Sequence, residues 1–368
     1  DHGNDVELHR HRRHRLARHT TIARSHPILA KASSLTAILP RAAAIAALIF
    51  VVAACGPSSS QPSYDAAIEE GRSAARELLE QGASAVAIAL VSPDRTIWSE
   101  AFGVIDRESG RAATDGTMFG IGSVSKMLAA IAVMKLVDRG VVDLDAPVVK
   151  YLPAFRMASA GYEKVTVRML LDHSSGFPGT DYRNADIRTP VPGYLDQVLQ
   201  TLSTARLKAP PGYMSVYCND GFTITAALVE AMTGTSYAQF VQDEILTPLG
   251  MAHTRFPLGA FPGGSFARAY VNGAPRPQEF VNTLAAGGAY STAGDVGRIA
   301  MMLLGNGAVG KTRIISAASV AAMAEDQTAG SFDPVRNESF AFGLGWDTVA
   351  QPGLAAVGFD GWAKGGDS

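Results

Sequence analysis

The chain has 368 residues, of which 47% are hydrophobic and 18% charged, so its composition excludes a disordered or fibrous protein. The formal net charge of −2 hides a basic amino terminus, because residues 1–54 hold eight Lys and Arg and three acidic residues. The remainder is acidic, with 24 basic and 31 acidic residues, and gives no electrostatic reason to bind nucleic acid. Two cysteines, Cys55 and Cys218, are too few for a disulfide framework.

Residues 1–62 are predicted to be a signal and linker segment outside the folded domain. An apolar run over residues 43–54 follows Arg41; it is too short to span a bilayer and typical of a signal-peptide core. It ends in Val-Ala-Ala-Cys at Cys55, which resembles a bacterial lipobox, and a Pro/Ser-rich tether follows. We therefore expect export and a lipid anchor on Cys55 at the bacterial cell envelope, on its periplasmic or cell-surface side. A buried helix ending in a buried thiol is the alternative.

The rest of the chain, residues 63–368, is predicted to form one α/β plus all-α domain. Helical periodicity and end signals predict helices over residues 66–81, 123–138, 165–171, 193–204, 222–233, 236–249, 292–304 and 316–325. Strands are predicted over residues 85–91, 96–104, 341–348 and 354–359. Because strands come first and last, we expect a sheet lobe from both chain ends (about 63–145 and 290–368) that holds a helical lobe (about 146–289).

The first candidate site residues are Ser123 and Lys126, at the start of a predicted helix. Residues at i and i+3 share a helix face, so the Ser123 hydroxyl and the Lys126 amine can meet. A desolvated lysine can take the proton of a serine nucleophile, and free N–H groups at a helix start favour an oxyanion. A serine cap with a solvent-facing lysine is the better interpretation of this motif standing alone.

Two further short motifs gain meaning beside that pair. Tyr217 and Asn219 stand in a turn-rich segment before a predicted helix, where a phenol can act as a general base and an amide can hold a substrate amide. Lys364 is followed by Gly365 and Gly366, which would allow a substrate carboxylate to approach a cation closely. Taken alone, the first of these motifs is usually a tyrosine that packs in a loop, and the second is a common turn.

Residues 305–312 fit the phosphate-loop pattern G-x-x-x-x-G-K-[ST], which would make the chain an NTPase. That pattern needs a buried strand before it, and here a predicted helix precedes it, so we expect no phosphate site. A nucleotide-binding test with Lys311→Ala addresses this alternative. His173 and His253 fit no metal-ligand spacing and are predicted to be structural or hydrogen-bonding residues; no metal site is indicated.

Taken in order, Ser123-x-x-Lys126, Tyr217-x-Asn219 and the Lys-Gly-Gly at Lys364 resemble the motif set of penicillin-recognising serine enzymes. The resemblance is greatest to class C β-lactamases and related serine hydrolases and D-Ala-D-Ala peptidases, and further similar stretches lie at residues 142–145, 165–176, 246–251 and 285–292. The resemblance implies a β-lactamase/transpeptidase-like fold, in which an antiparallel sheet flanked by helices and a helical lobe enclose the site.

The resemblance also implies the catalytic roles. Ser123 would be acylated, and Lys126 would help to remove its proton. Tyr217 would shuttle protons and activate the water that releases the acyl group. The backbone N–H groups of Ser123 and Asp367 would form the oxyanion hole, and neither metal nor cofactor would be needed.

Substrate recognition would fall to Asn219, which would position the substrate amide, and to Lys364 with Gly366, which would face the substrate carboxylate. Family members usually carry Ser or Thr where this chain has Gly365, so we expect weaker carboxylate recognition and a shift towards esters. The sequence stops at Ser368, directly after this motif, without the family's remaining strands and C-terminal helix. We therefore expect the chain as written to be an unstable and poorly active fragment.

The leading hypothesis is thus a lipid-anchored serine hydrolase acting through an acyl-enzyme on β-lactam, D-Ala-D-Ala peptide or ester substrates. The rate of acyl release separates these three, and no motif reports it. The partner would be a small-molecule or peptidoglycan-type substrate, and no motif indicates an oligomeric state. The competing hypothesis is a non-catalytic surface lipoprotein that binds penicillin or wall peptide without turnover.

Overall fold

The structure, a computed structural model, describes residues 63–181, 183, 186–187, 190–328 and 342–346, which contain both helices and strands, most of the strands only two residues long. The helices are α1 (Asp65–Glu80), α2 (Ser125–Asp138), α3 (Val148–Tyr151), α4 (Val167–Leu171), α5 (Tyr194–Thr204), α6 (Asn219–Thr233), α7 (Tyr237–Val241), α8 (Thr247–Leu249), α9 (Leu284–Gly287), α10 (Ala293–Leu304) and α11 (Ala317–Ala324). The strands are β1 (Ala85–Val91), β2 (Thr96–Asp106), β3 (Arg111–Ala112), β4 (Phe119–Gly120), β5 (Asp186–Ile187), β6 (Tyr270–Val271), β7 (Ala274–Pro275), β8 (Phe280–Val281), β9 (Tyr290–Ser291), β10 (Ala308–Val309) and β11 (Thr312–Arg313).

Strand β1 is buried on both faces, which explains why its sequence is a continuous apolar run. It pairs antiparallel with β2, and β2 pairs with β3. Val86 and Ile88 pack with Ala75 of α1. On the other face a Cβ on Gly297 of α10 would lie 2.9 Å from Val91, so that glycine lets α10 lie directly on the strand.

Helix α2 lies at the centre of the largest hydrophobic cluster. Eleven of its 14 residues are buried, as expected for a helix that is apolar around most of its circumference. A short 3₁₀ turn, Gly122–Val124, leads into it. The helix therefore gives the two residues at its start, Ser123 and Lys126, a rigid support.

Pairing between β4 and β9 brings a segment about 170 residues further along the chain beside the start of α2. Strand β4 pairs antiparallel with β9, with Phe119 opposite Ser291 and Gly120 opposite Tyr290. The Ile121 N–H donates to the Ala289 carbonyl at 2.9 Å, and the Ala289 N–H donates to Ser125 Oγ at 3.0 Å. These bonds hold the α9 segment against the 3₁₀ turn that carries Ser123.

Most predicted elements are present with shifted ends, and two differ in kind. The predicted helix over residues 236–249 is divided, because a π-helical turn, Gln242–Leu246, separates α7 from α8. The predicted strand over residues 341–348 is wrong for residues 342–346, where the chain bends and Gly345 has φ +75°. The predicted strand over residues 354–359 lies outside the described residues. Among those described, no helix is long and apolar enough to cross a bilayer.

Candidate active site

The Ser123 hydroxyl stands on the 3₁₀ turn before α2, at the place where the chain enters the helix. Gly122 has φ +50°, a left-handed conformation that glycine adopts without a steric penalty. Ser123 is half-buried, whereas Val124 and the residues that follow it are buried. The turn therefore leaves the hydroxyl accessible at the end of an otherwise enclosed helix.

Lys126 is fully buried, and its amine is surrounded by oxygen acceptors. Nζ donates to Ser123 Oγ at 3.1 Å, to Asn219 Oδ1 at 2.8 Å and to the Ala286 carbonyl at 2.7 Å. A buried amine needs such partners, since an unpaired one would carry a large desolvation cost. The contacts fix the amine beside the hydroxyl, as the i, i+3 spacing predicts.

Tyr217 contacts the same hydroxyl. Its Oη donates to Ser123 Oγ at 2.5 Å, and its ring centroid lies 4.5 Å from Lys126 Nζ. The phenol, the amine and the hydroxyl, which are 94 residues or fewer apart in sequence, thus form one hydrogen-bonded group. A serine becomes an effective nucleophile when a neighbouring group can accept its proton, and here two groups lie at hydrogen-bonding distance from the hydroxyl.

Asn219 begins α6 and turns its amide oxygen to the lysine. Its backbone N–H donates to Thr180 Oγ1 at 3.3 Å, which links the start of α6 to the loop that follows α4. Phe222, one turn along α6, places its ring 5.4 Å from Lys126 Nζ. Sequence reasoning identified Asn219 but missed Thr180 and the Ala286 carbonyl, since neither carries a local motif.

His173 lies directly behind Tyr217. The two rings stack with centroids 4.5 Å apart and an interplanar angle of 26°, and His173 Nδ1 accepts from the Cys218 N–H at 3.0 Å. The sequence predicts a structural or hydrogen-bonding role for this histidine and gives no reason to connect it with Tyr217. Only the folded chain brings residue 173 beside residue 217.

Two buried aspartates flank these segments and lie in surroundings that disfavour their charged form. Burial raises the pKa of Asp172 to about 6, although Ser174 donates to its carboxyl from both the backbone and the side chain. Burial likewise raises the pKa of Asp220 to about 6, although the Asp181 N–H donates to its carboxyl at 3.0 and 3.1 Å. Through these hydrogen bonds, both carboxyls stabilise the loop segments around Ser174 and Asp181.

The remaining predicted residues, Lys364, Gly366 and Asp367 in the third motif and Cys55 in the lipobox, lie outside the described residues. The phosphate-loop pattern lies within them and has the wrong structure for nucleotide binding: α10 precedes it, and its second half forms the hairpin β10–β11. Across the described part of the chain, no cluster of His, Cys, Asp and Glu could hold a metal ion.

Comparison with solved structures identifies the fold. EstCE1, described as a hydrolase with promiscuous acyltransferase activity, superposes with a TM-score of 0.63 at 21% identity, over 77% of this chain and 82% of that one. An octameric penicillin-binding protein homologue from Pyrococcus abyssi gives 0.56 at 24% identity, over 76% and 63%. These likenesses confirm the β-lactamase/transpeptidase-like fold.

Sequence comparison then gives the family. The family description "Beta-lactamase" matches residues 66–368. Penicillin-binding protein 4 of Amycolatopsis lactamdurans is 33% identical over 284 residues, covering 72% of this chain and 71% of that protein. Esterase EstB of Burkholderia gladioli is 34% identical over 212 residues, covering 52% and 51%. The chain belongs to the beta-lactamase family and is a serine hydrolase.

Proposed function

We propose that this serine hydrolase works through an acyl-enzyme on Ser123. The observation that carries the proposal is the hydrogen-bonded group in which Tyr217 Oη lies 2.5 Å and Lys126 Nζ 3.1 Å from Ser123 Oγ. Each lies within the distance at which a proton passes directly between heavy atoms.

In the first step Ser123 Oγ attacks the carbonyl carbon of the substrate, and its proton passes to the Lys126–Tyr217 pair. The tetrahedral intermediate collapses when the bond to the leaving group breaks, and the pair returns the proton to that group. In the second step Tyr217 takes a proton from water, the resulting hydroxide attacks the acyl carbon, and Ser123 Oγ leaves and is reprotonated. The electron pairs and protons balance without any redox partner.

We propose a substrate class of β-lactams, D-Ala-D-Ala peptides or esters, in which Asn219 positions the substrate amide. The names of the relatives support this range, since they include a penicillin-binding protein, an esterase and a putative D-alanyl-D-alanine carboxypeptidase from Escherichia coli, the last 25% identical over 313 residues. Lys364, Gly366 and Asp367 would bind the carboxylate and complete the oxyanion hole. Because Gly365 stands where family members usually carry Ser or Thr, we expect esters to be favoured among these three substrate classes.

The test is to incubate the full-length gene product with a chromogenic cephalosporin, a p-nitrophenyl ester and a D-Ala-D-Ala peptide, and to follow product release and intact mass. We expect an adduct on Ser123 and turnover of at least one substrate, both abolished by Ser123→Ala. Ser203→Ala, at an exposed serine of α5, is the matched control and should behave as wild type. A stable adduct without release would instead support the binding lipoprotein, and turnover by Ser123→Ala would overturn the proposal.

We further propose export and a lipid anchor on Cys55, which the apolar run over residues 43–54 and the Val-Ala-Ala-Cys pattern support. Expression of the full-length gene product in a bacterium with labelled palmitate should place the label in the membrane fraction. Cys55→Ser should lose both the label and the membrane association. Equal labelling of that variant would contradict the anchor.

A further inference from the structure

One residue, His173, contacts three consecutive residues around the candidate proton shuttle. Its backbone carbonyl accepts from the Val216 N–H at 3.0 Å, and its Nδ1 accepts from the Cys218 N–H at 3.0 Å. Between these two bonds its ring stacks on the ring of Tyr217, with centroids 4.5 Å apart. The segment that carries the phenol is therefore held on both sides and across its face by a single histidine.

His173 is itself tightly constrained. It is 2% exposed and has φ +63°, a conformation that costs free energy for a residue with a side chain and persists only where the surroundings enforce it. Its ring also meets Phe222 of α6 and Phe342, with centroid distances of 5.3 and 5.0 Å. A residue held in this way can act as a fixed support for the segment it contacts.

The chemistry of the Cys218 contact specifies one form of the imidazole. Nδ1 can accept a hydrogen bond only when it carries no proton, so this contact assigns the neutral ring with its proton on Nε2. Cys218 is 2% exposed, so its N–H has little access to water if that acceptor is lost. An unsatisfied buried N–H would be expected to move the backbone next to Tyr217.

We propose that His173 is a positioning residue for Tyr217, which acts by fixing the phenol at hydrogen-bonding distance from Ser123 Oγ. This inference rests on the proposed acyl-enzyme function. The Tyr217 Oη to Ser123 Oγ distance is 2.5 Å, and a shift of about 1 Å in a catalytic group can slow a reaction on the order of a hundredfold. The hydrogen bond to Nδ1 contributes more to this positioning than the ring stacking does, because among the described residues Nδ1 is the acceptor for the Cys218 N–H.

Two substitutions separate the acceptor from the ring. His173→Asn places an oxygen where Nδ1 stands, tolerates positive φ and removes the stacked ring. His173→Phe keeps an aromatic ring behind Tyr217 and removes the acceptor. Ile88→Ala, in the hydrophobic cluster between α1 and β1 that contains no residue of the candidate site, is the control for lost stability. All variants are made in the full-length gene product.

The measurement is the acylation rate constant with a fluorescent penicillin, separated from the dissociation constant of the first complex, together with thermal unfolding. We expect His173→Phe to acylate at least tenfold more slowly with binding changed less than threefold, and His173→Asn to stay within about threefold of wild type. Ile88→Ala should lose stability and keep its rate. Wild-type acylation by His173→Phe, or a loss of acylation rate no greater than that of Ile88→Ala, would overturn the inference. If wild type itself forms no adduct, it is the proposed function that fails.

Discussion

The two sides of the candidate site are built in different ways. On one side, Ser123 and Lys126 lie three residues apart at the start of α2, a helix buried around most of its circumference. On the other side, Tyr217 and Asn219 enter α6 from a loop that is held by His173 and Thr180. The first side takes its geometry from helix periodicity, and the second takes it from contacts with residues about 40 positions earlier.

The difference teaches that a short motif can specify the relative position of its residues when they lie in one continuous helical segment, here the 3₁₀ turn and α2. The spacing of the first pair is enough to place its amine beside its hydroxyl. The spacing of Tyr217 and Asn219 does not determine where their side chains lie relative to Ser123, because a loop has no fixed period. We therefore expect substitutions on the helix side to affect chemistry directly and those on the loop side to act through position.

The largest effect is expected from Lys126→Met, which keeps the apolar stem and removes the amine. Ser123 loses a proton acceptor and Asn219 Oδ1 loses its 2.8 Å donor, so acylation should fall by about a thousandfold. The rate of adduct formation with a fluorescent penicillin measures it. Lys135→Met on the same helix is the control, since that lysine contacts Ile314 and Glu244, and it should acylate normally. A loss under tenfold for Lys126→Met would break the comparison.

Tyr217→Phe should reduce acylation by about a hundredfold with little change in unfolding temperature, because it removes the oxygen next to Ser123 and leaves an aromatic ring to stack on His173. Stopped-flow acylation and thermal unfolding together check this. Tyr213→Phe, at a tyrosine that is 70% exposed, should leave both unchanged. If the two variants acylate alike, the phenol has no part in proton transfer.

Gly345→Ala tests the support of the helix side. A Cβ there would lie 2.6 Å from Ala130 Cβ and 3.0 Å from the Lys126 carbonyl, and the residue has φ +75°. Strain and overlap together should lower the free energy of unfolding by about 2–3 kcal/mol. Gly310→Ala, at φ +56° in open space, carries the strain alone and should cost about 1 kcal/mol. Equal costs in urea unfolding would show that residue 345 does not press on α2.

Asp172→Asn addresses the loop side through pH. Burial raises the folded-state pKa of Asp172 from 3.8 to about 6, so this carboxyl favours the folded state fully below about pH 4 and loses that contribution as the pH rises to about 6. The amide cannot ionise and can still accept from Ser174. Above pH 6 the variant should therefore gain about 1–3 kcal/mol of stability relative to its difference from wild type at pH 4. Asp115→Asn, at an exposed carboxyl, is the control. A stability difference that does not vary between pH 4 and 8 would contradict the burial argument.

Sequence reasoning succeeded where a pattern is local or an ordered motif set is specific. The family and the fold class were predicted from the three motifs and are confirmed, and helix α2 was predicted from its apolar periodicity. Sequence reasoning failed at residues 342–346. Apolar residues and glycines alternate there as in a strand, but the chain bends next to α2. Sequence reasoning also missed the π-helical turn inside the predicted helix over residues 236–249, because no local sequence signal marks the extra residue of such a turn.

By itself the sequence determined that a serine and a lysine three residues apart lie on one side of the chain where a buried helix begins, since residues i and i+3 share a face in a 3₁₀ turn as they do in an α-helix. Only the tertiary structure decided that Tyr217 reaches the same serine and that His173 stands behind it. Those contacts depend on the antiparallel pairing of β4 with β9 and on the packing of α6 against α2, interactions between segments far apart in the chain. Their geometry follows from the closure of the whole core, which no local pattern encodes.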